Sequence, residues 1–207
     1  MFEQNRERFQ FIAKLFAKYF TWLHPNVITT IGLFIGLLPA VLYASGHPVK
    51  AGIALLVYLF DSLDGAVARF TGRVSKFGEV YDATLDRVVD GAIIFGIAYG
   101  GFVSWELAFI VLLGYFLVPY VRARAEAAAQ KKIKLNVGIA QRGDRVLFLM
   151  IASVLFTEGI NILDISLNTL ELVFVILAVL TWQTFIFRMI SAYKALAKLN
   201  HGRTSKS

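Results

Sequence analysis

The chain has 207 residues, of which 57% are hydrophobic and only 17% are charged, against about 45–50% and about 25% in soluble domains. With a mean hydropathy of +0.65, it has too few polar groups to coat a water-soluble globule, and the same composition excludes intrinsic disorder. The sequence has no cysteine and a net charge of +7, which excludes disulfide scaffolds and thiolate sites and raises the question of where the basic residues lie.

Residues 1–24 mix aromatic side chains with charged ones, which predicts an amphipathic helix in the membrane interface that ends at Pro25. Six apolar stretches follow, each near the ~20 residues that a helix needs to cross a bilayer. They are Asn26–Ser45, Ala51–Arg69, Phe77–Gly101, Glu106–Arg124, Arg145–Ile162 and Leu167–Tyr193. The predicted fold is an all-α integral membrane protein with an interfacial helix (1–24), a six-helix transmembrane catalytic domain (25–197) and a polar tail (198–207). We expect the last residues of the tail, 201–207, to be disordered.

The basic residues test this topology. Of the 21 lysines and arginines, only Lys50 falls in a loop on the acidic side, with Glu106, Glu158 and Asp164. By the positive-inside rule, both termini are expected to be cytoplasmic. The net charge therefore reflects membrane orientation, and we expect no nucleic-acid partner.

Carboxylates lie at the cytoplasmic ends of the second and third predicted spans, where charge is costly and indicates function. Asp61 and Asp64 are three residues apart, and Asp82, Asp86 and Asp90 are four apart, so each set shares one helix face. A short loop joins the two spans, so they are antiparallel neighbours and their acidic faces can converge.

Clustered carboxylates repel one another unless cations hold them, and oxygen-only ligands suit Mg²⁺ or Mn²⁺. Two such ions would form a clamp for phosphoryl oxygens. An alternative role remains open for Asp90, which could form a salt bridge with Arg87 or support the other carboxylates. An alternative for the whole chain is a divalent-cation transporter, although transporters place such groups near the midplane of repeated halves, and this sequence shows no repeat.

The segment from Asp61 to Asp86 resembles the signature of the CDP-alcohol phosphatidyltransferase family, D-x2-D-G-x2-A-R-x8-G-x3-D-x3-D. Every fixed position is matched, by Asp61, Asp64, Gly65, Ala68, Arg69, Gly78, Asp82 and Asp86. The resemblance implies that Asp61, Asp64, Asp82 and Asp86 bind two metal ions and that Asp86 is also the general base. It further implies contacts with a CDP-linked lipid from Asn26, Thr29, Asp64, Gly65, Ala68, Arg69, Ser75 and Gly78. The implied reaction transfers a phosphatidyl-type group to an alcohol and releases CMP.

The remaining arginines indicate what kind of alcohol is the acceptor. Arg122, Arg142 and Arg188 come from the fourth, fifth and sixth spans near their cytoplasmic ends, where they could bind the phosphate of an acceptor or anchor the protein to anionic lipid. The strings around Asp86 and Arg122 resemble the phosphatidylinositol-phosphate and archaetidylinositol-phosphate synthase branch. That resemblance implies inositol 1-phosphate as the acceptor, a homodimer, and a multi-pass protein of a prokaryotic plasma membrane whose active site faces the cytoplasm. Glycerol 3-phosphate is the alternative acceptor; serine and a CDP-inositol donor are less favoured.

Overall fold

The structure is a computed structural model that describes residues 24–56, 72, 75–130, 133, 135, 138, 142–162 and 165–204. The chain divides into two compact units, Met1–Gly100 and Gly101–Ser207. In the described residues, unit 1 contains four helices, and unit 2 contains three helices and a two-stranded sheet.

The helices of unit 1 are α1 (Pro25–Gly36), α2 (Leu38–Ala44), α3 (Pro48–Ala54) and α4 (Lys76–Tyr99). The first predicted span is thus broken at Leu37, two residues before Pro39. Proline has no N–H and its ring collides with the carbonyl four residues earlier, so a helix kinks or breaks there. The predicted third span corresponds to α4 within two residues at either end, whereas most of the second span lies outside the described residues.

Close backbone packing joins α2 to α4. A Cβ atom at Gly96 would overlap the backbone carbonyl of Ala40, and one at Gly36 would lie 3.1 Å from a methyl of Val89. Glycine at these two positions therefore lets the helices approach closely. Tyr43 of α2, fully buried, completes this core.

The helices of unit 2 are α5 (Trp105–Ala128), α6 (Arg142–Val154) and α7 (Thr169–Thr204). A capping box begins α7: the Asn168 N–H donates to Glu171 Oε2 and the Glu171 N–H donates to Asn168 Oδ1, both at 2.9 Å. Along its length α7 packs on α5, and a Cβ at Gly114 would overlap the hydroxyl of Thr181. The Trp182 indole N–H also donates to the carbonyl of Ile110 on α5, at 3.2 Å.

A β-hairpin replaces the end of the predicted fifth span, so the all-α prediction was wrong at this point. Strands β1 (Ile160–Ile162) and β2 (Ile165–Leu167) pair antiparallel. Helix α6 ends at Val154, and Gly159 has a φ of +76°, a turn conformation that favours glycine. The 13 residues of α6 reach only about 20 Å at 1.5 Å per residue, less than the ~30 Å hydrocarbon core.

Three helical segments of the described residues are long and apolar enough to cross a membrane, namely Pro25–Ala44, Trp105–Ala128 and Thr169–Leu199. Large apolar side chains are exposed on them, as in Phe34 (69%) and Phe109 (59%), which suits lipid contact. Helix α4 carries too many charges, and α6 is too short, to be counted as membrane-crossing by length and composition. The six-span count stays a prediction, as does the interfacial helix, of which residues 1–23 lie outside the described part. Helix α7 continues to Thr204, so the backbone of the expected disordered tail is helical up to that residue.

Candidate functional site

Helix α4 carries the two described carboxylates of the signature, Asp82 and Asp86. The helix begins at Ser75, whose Oγ accepts a hydrogen bond from the Gly78 N–H at 2.9 Å. This cap satisfies one of the free N–H groups of the first turn. The carboxylates follow in the second and third turns, both partly buried, and their four-residue spacing on a continuous helix confirms the predicted shared face.

Three residues expected to contact the CDP-linked lipid come together where α1 meets α4. A Cβ atom at Gly78 would lie 3.0 Å from Ser75 Oγ and 3.3 Å from Asn26 Oδ1. The absence of a side chain at Gly78 therefore lets two polar oxygens approach the backbone of α4 closely, one turn before Asp82. Helix α1 is held in this position by a 2.9 Å hydrogen bond between the hydroxyls of Thr30 and Tyr81.

Thr29, the other expected contact from α1, lies one turn from Asn26 in sequence and is half-buried. Its hydroxyl donates to the carbonyl of Pro25 at 3.1 Å. This bond lies within α1. The remaining expected donor contacts, Gly65, Ala68 and Arg69, lie outside the described residues.

The alternative left open for Asp90 is supported by the structure. Asp90 is 4% exposed, and its Oδ2 lies 3.4 Å from Nη2 of Arg87. The same Arg87 nitrogen lies 3.8 Å from Oδ2 of Asp86. Asp90 is therefore an ion-pair partner of Arg87, and Arg87 in turn faces Asp86.

The chemistry of the described carboxylates fits a hard divalent cation, because Asp82 and Asp86 offer oxygen ligands on one face of α4. Asp61 and Asp64, the other two expected ligands, lie outside the described residues. Within the part of the chain that the structure describes, no three residues among histidine, aspartate and glutamate form a group that could hold a metal. The predicted four-carboxylate cluster thus stays a prediction.

In unit 2, the charge of one predicted acceptor arginine, Arg122, acts on another, Arg188. Arg188 of α7 is 7% exposed, and its Nη1 donates to the carbonyl of Val118 on α5 at 2.7 Å. The positive charges of Arg122 and Arg145 and the negative charge of Glu126 all act on its guanidinium. Arg122, Arg145 and Arg188 therefore form a basic group, whose role in binding the acceptor stays a prediction.

Arg145 of α6 is the member of this group that sequence reasoning missed. It is 3% exposed, and its guanidinium carbon lies 3.9 Å from the centre of the Tyr115 ring, a cation–π contact. The predicted residue, Arg142, is the first residue of α6 and is half-buried. The sequence does contain a signal for Arg145, because this residue directly precedes an apolar run and lies one turn beyond Arg142.

Glu126 is the second residue that sequence reasoning did not single out. Its Oε1 accepts from Nε of Arg122 at 3.0 Å and from the backbone N–H of Leu135 at 3.1 Å. The four-residue spacing from Arg122 to Glu126 on α5 allows the first bond. Nothing local in the sequence indicates the second, because Leu135 lies beyond the end of the helix.

Comparisons with known proteins identify the family of the chain. The family model for CDP-alcohol phosphatidyltransferases matches residues 22–187. The archaetidylinositol phosphate synthase of Pyrococcus horikoshii is 42% identical over 173 residues, covering 83% of this chain and 85% of that protein. The phosphatidylinositol phosphate synthase of Mycobacteroides abscessus is 32% identical over 146 residues, covering 67% and 64%.

Solved structures of a phosphatidylinositol phosphate synthase match the fold of this chain. The crystal structure of the Mycobacterium tuberculosis phosphatidylinositol phosphate synthase with CDP-DAG bound matches with a TM-score of 0.73 at 25% identity, covering 88% of this chain and 94% of that one. The same enzyme in complex with manganese and citrate matches with a TM-score of 0.73, covering 87% and 88%. The chain therefore belongs to the CDP-alcohol phosphatidyltransferase family and is a phosphotransferase of phospholipid biosynthesis.

Proposed function

We propose that the enzyme transfers a phosphatidyl-type group from a CDP-linked lipid to inositol 1-phosphate, releases CMP and depends on a divalent metal. The observation that carries the proposal is the approach of Asn26 and Ser75 to Gly78, one helical turn before Asp82. Two polar oxygens brought together at Gly78, next to a carboxylate face, suit the nucleotide end of such a donor. The names of the archaeal and bacterial relatives support inositol 1-phosphate over glycerol 3-phosphate and give no support to a cation transporter.

In the proposed reaction, a hydroxyl oxygen of the acceptor attacks the phosphorus that carries the lipid, and the bond from that phosphorus to the CMP oxygen breaks. Asp86 accepts the hydroxyl proton. A general base must lie within hydrogen-bond reach of the proton that it accepts, and Asp86 lies on the face of α4 that also carries Asp82. Arg87, 3.8 Å from Asp86, restricts the orientation of that carboxylate.

Asp61, Asp64, Asp82 and Asp86 would hold two Mg²⁺ or Mn²⁺ ions. When bound, such ions neutralise the pyrophosphate of the donor and stabilise the departing CMP. The oxygen chemistry of Asp82 and Asp86 supports this role, and so does the relative whose structure contains manganese.

The donor would be bound by Asn26, Thr29, Ser75 and Gly78, together with the signature residues Asp64, Gly65, Ala68 and Arg69. The hydroxyl of Ser75 already caps α4, so it is held in place before the donor arrives. The relative with CDP-DAG bound supports a CDP-linked lipid as the donor.

The acceptor phosphate would be bound by Arg122, Arg142 and Arg188, and we add Arg145. Guanidinium groups bind phosphate oxygens in pairs, and the charges of Arg122 and Arg145 both act on Arg188. Like positive charges in a sparsely solvated region repel each other, so an anion would relieve the part of this repulsion that Glu126 does not offset.

We also propose the setting of the enzyme: the plasma membrane of a prokaryote, six spans preceded by an interfacial helix at residues 1–24, and both termini and the active site on the cytoplasmic side. The distribution of the basic residues supports this orientation. The homodimer is likewise proposed, from the family resemblance alone.

The experiment is an acceptor panel with purified enzyme, CDP-diacylglycerol or its archaeal ether counterpart, and Mg²⁺, scored by CMP release. Inositol 1-phosphate, glycerol 3-phosphate, serine and inositol are compared at equal concentration, with and without a chelator. We expect release with inositol 1-phosphate only, and none with the chelator. Turnover with free inositol but not with inositol 1-phosphate would refute the phosphate-binding argument.

A further inference from the structure

The carboxylate of Glu126 links two parts of unit 2 that are separate in sequence. One oxygen, Oε1, accepts from the Arg122 side chain at 3.0 Å and from the Leu135 backbone at 3.1 Å. The side chain of Glu126 is 25% exposed and that of Arg122 is 44% exposed. The bond to Glu126 uses Nε of Arg122, so this bond does not itself occupy the two terminal nitrogens of the guanidinium.

Leu135, which lies between α5 and α6 in the sequence, is anchored by packing as well as by its bond to Glu126. Leu135 is 4% exposed and forms a buried cluster with Ala125 of α5 and Ala192 of α7, against which Ile133 also packs. This cluster fixes the backbone of Leu135, and hence the direction of the N–H that meets Glu126.

A second anchor lies close to the basic group. Gly138 has a φ of +125°, and a Cβ there would overlap the side chain of Thr184. Thr184 is one turn before Arg188 on α7, so Gly138 is held against the helix that carries this arginine. The position of the Leu135 N–H is therefore fixed. Glu126 accepts from this N–H and from Arg122, so it holds the Arg122 side chain in place relative to Leu135.

We propose that Glu126 is a positioning residue for acceptor binding, which holds Arg122 in the orientation that receives the acceptor phosphate. The inference rests on the proposed function. A flexible, half-exposed arginine must lose side-chain freedom when it binds an anion, and a group that fixes it beforehand reduces that cost. The carboxylate also limits the repulsion between Arg122 and Arg188 before the acceptor arrives, since its charge acts on Arg188 as well.

The test uses full-length enzyme and four variants: Glu126→Ala, Glu126→Gln, Arg122→Gln and the double variant Arg122→Gln/Glu126→Ala. We expect Glu126→Ala to raise KM for inositol 1-phosphate about tenfold, the size of one charge-assisted hydrogen bond. Glu126→Gln keeps an accepting oxygen and should raise KM less, about threefold. In both, kcat and the KM of the donor should stay within about twofold, because only acceptor binding is affected. The matched control is Glu106→Gln, an exposed glutamate in the first turn of α5, which should change neither constant.

Two further readouts separate positioning from a merely structural role. If Glu126 acts through Arg122, the double variant should have the KM of Arg122→Gln alone, since the second change has nothing left to remove. Hydrogen exchange of a peptide containing Leu135 should be faster in Glu126→Ala than in wild type, and unchanged in Glu106→Gln. If Glu126→Ala does not fold, Glu126→Gln carries the same measurements.

The outcomes are distinguishable. If the wild type uses inositol 1-phosphate but the effects of Arg122→Gln and Glu126→Ala multiply, or if kcat falls while KM is unchanged, the positioning role is wrong and the proposed function stands. If the wild type uses only unphosphorylated acceptors, the proposed function is wrong and the inference falls with it.

Discussion

Gly78 offers a sharp test of the donor site, because alanine there adds one methyl group between two polar side chains. The new Cβ would lie 3.0 Å from Ser75 Oγ and 3.3 Å from Asn26 Oδ1, closer than a methyl carbon and an oxygen normally approach. Both oxygens would have to move by a few tenths of an ångström. The change Gly78→Ala therefore alters the proposed donor site without removing any functional group.

The effect on stability should be small. Alanine in place of glycine favours the helix by about 1 kcal/mol, and weakening of the Ser75 cap costs about 1 kcal/mol, so the two nearly cancel. Donor binding has no such compensation. Because a 1 Å misplacement can cost about 100-fold in rate, a shift of a few tenths should raise the KM for CDP-diacylglycerol about tenfold or less.

The assay measures CMP release against donor concentration at saturating acceptor, together with Tm in detergent. Gly32→Ala is the matched control, since Gly32 also lies in a helix of unit 1 and a Cβ there would have no neighbour within 4 Å. We expect the control to keep the donor KM of the wild type and a Tm equal to it or higher. An unchanged donor KM in Gly78→Ala, or the same rise in Gly32→Ala, would refute the assignment of this junction to the donor.

Three further predictions concern the base, the helix packing and the acceptor site. Asp86→Asn should lower kcat by about 100-fold or more yet still bind Mn²⁺, as measured by electron paramagnetic resonance. Gly114→Ala should destabilise unit 2 by about 1–3 kcal/mol, because its Cβ would overlap Thr181, and should lower Tm by about 2–4 °C per kcal/mol. Arg188→Lys should raise the KM for inositol 1-phosphate about tenfold with the donor KM unchanged, because lysine cannot both donate to the Val118 carbonyl in the same geometry and present a fork to phosphate.

Each of these has an outcome that contradicts it. Full turnover in Asp86→Asn would exclude this residue as the base. Gly143→Ala, at a position with open space, controls for Gly114→Ala, and equal Tm values in the two would mean that α5 and α7 separate easily. An altered donor KM in Arg188→Lys would show that this arginine does not act on the acceptor alone.

The sequence by itself determined the class of protein and the chemistry of its carboxylates. Apolar composition requires a lipid solvent, and the bounds of α4 and the shared face of Asp82 and Asp86 follow from helical periodicity. These properties are local, because an α-helix repeats every 3.6 residues whatever surrounds it. The signature from Asp61 to Asp86 was also complete in the sequence, which allowed the family to be identified before any fold was known.

Only the tertiary structure decided which side chains meet. Asn26 and Gly78 lie on different helices, and their contact depends on how α1 packs on α4. Arg145 joins the basic group because α6 brings it to Tyr115 on α5. Glu126 was not predicted because its second partner, the N–H of Leu135, lies beyond the end of its own helix. Such contacts follow from the free energy of packing whole helices and loops together, which no short stretch of sequence contains. The hairpin at Ile160–Leu167 is the opposite case, where an apolar run that could be read as helix pairs as strands because a glycine turn and β-branched residues favour that outcome.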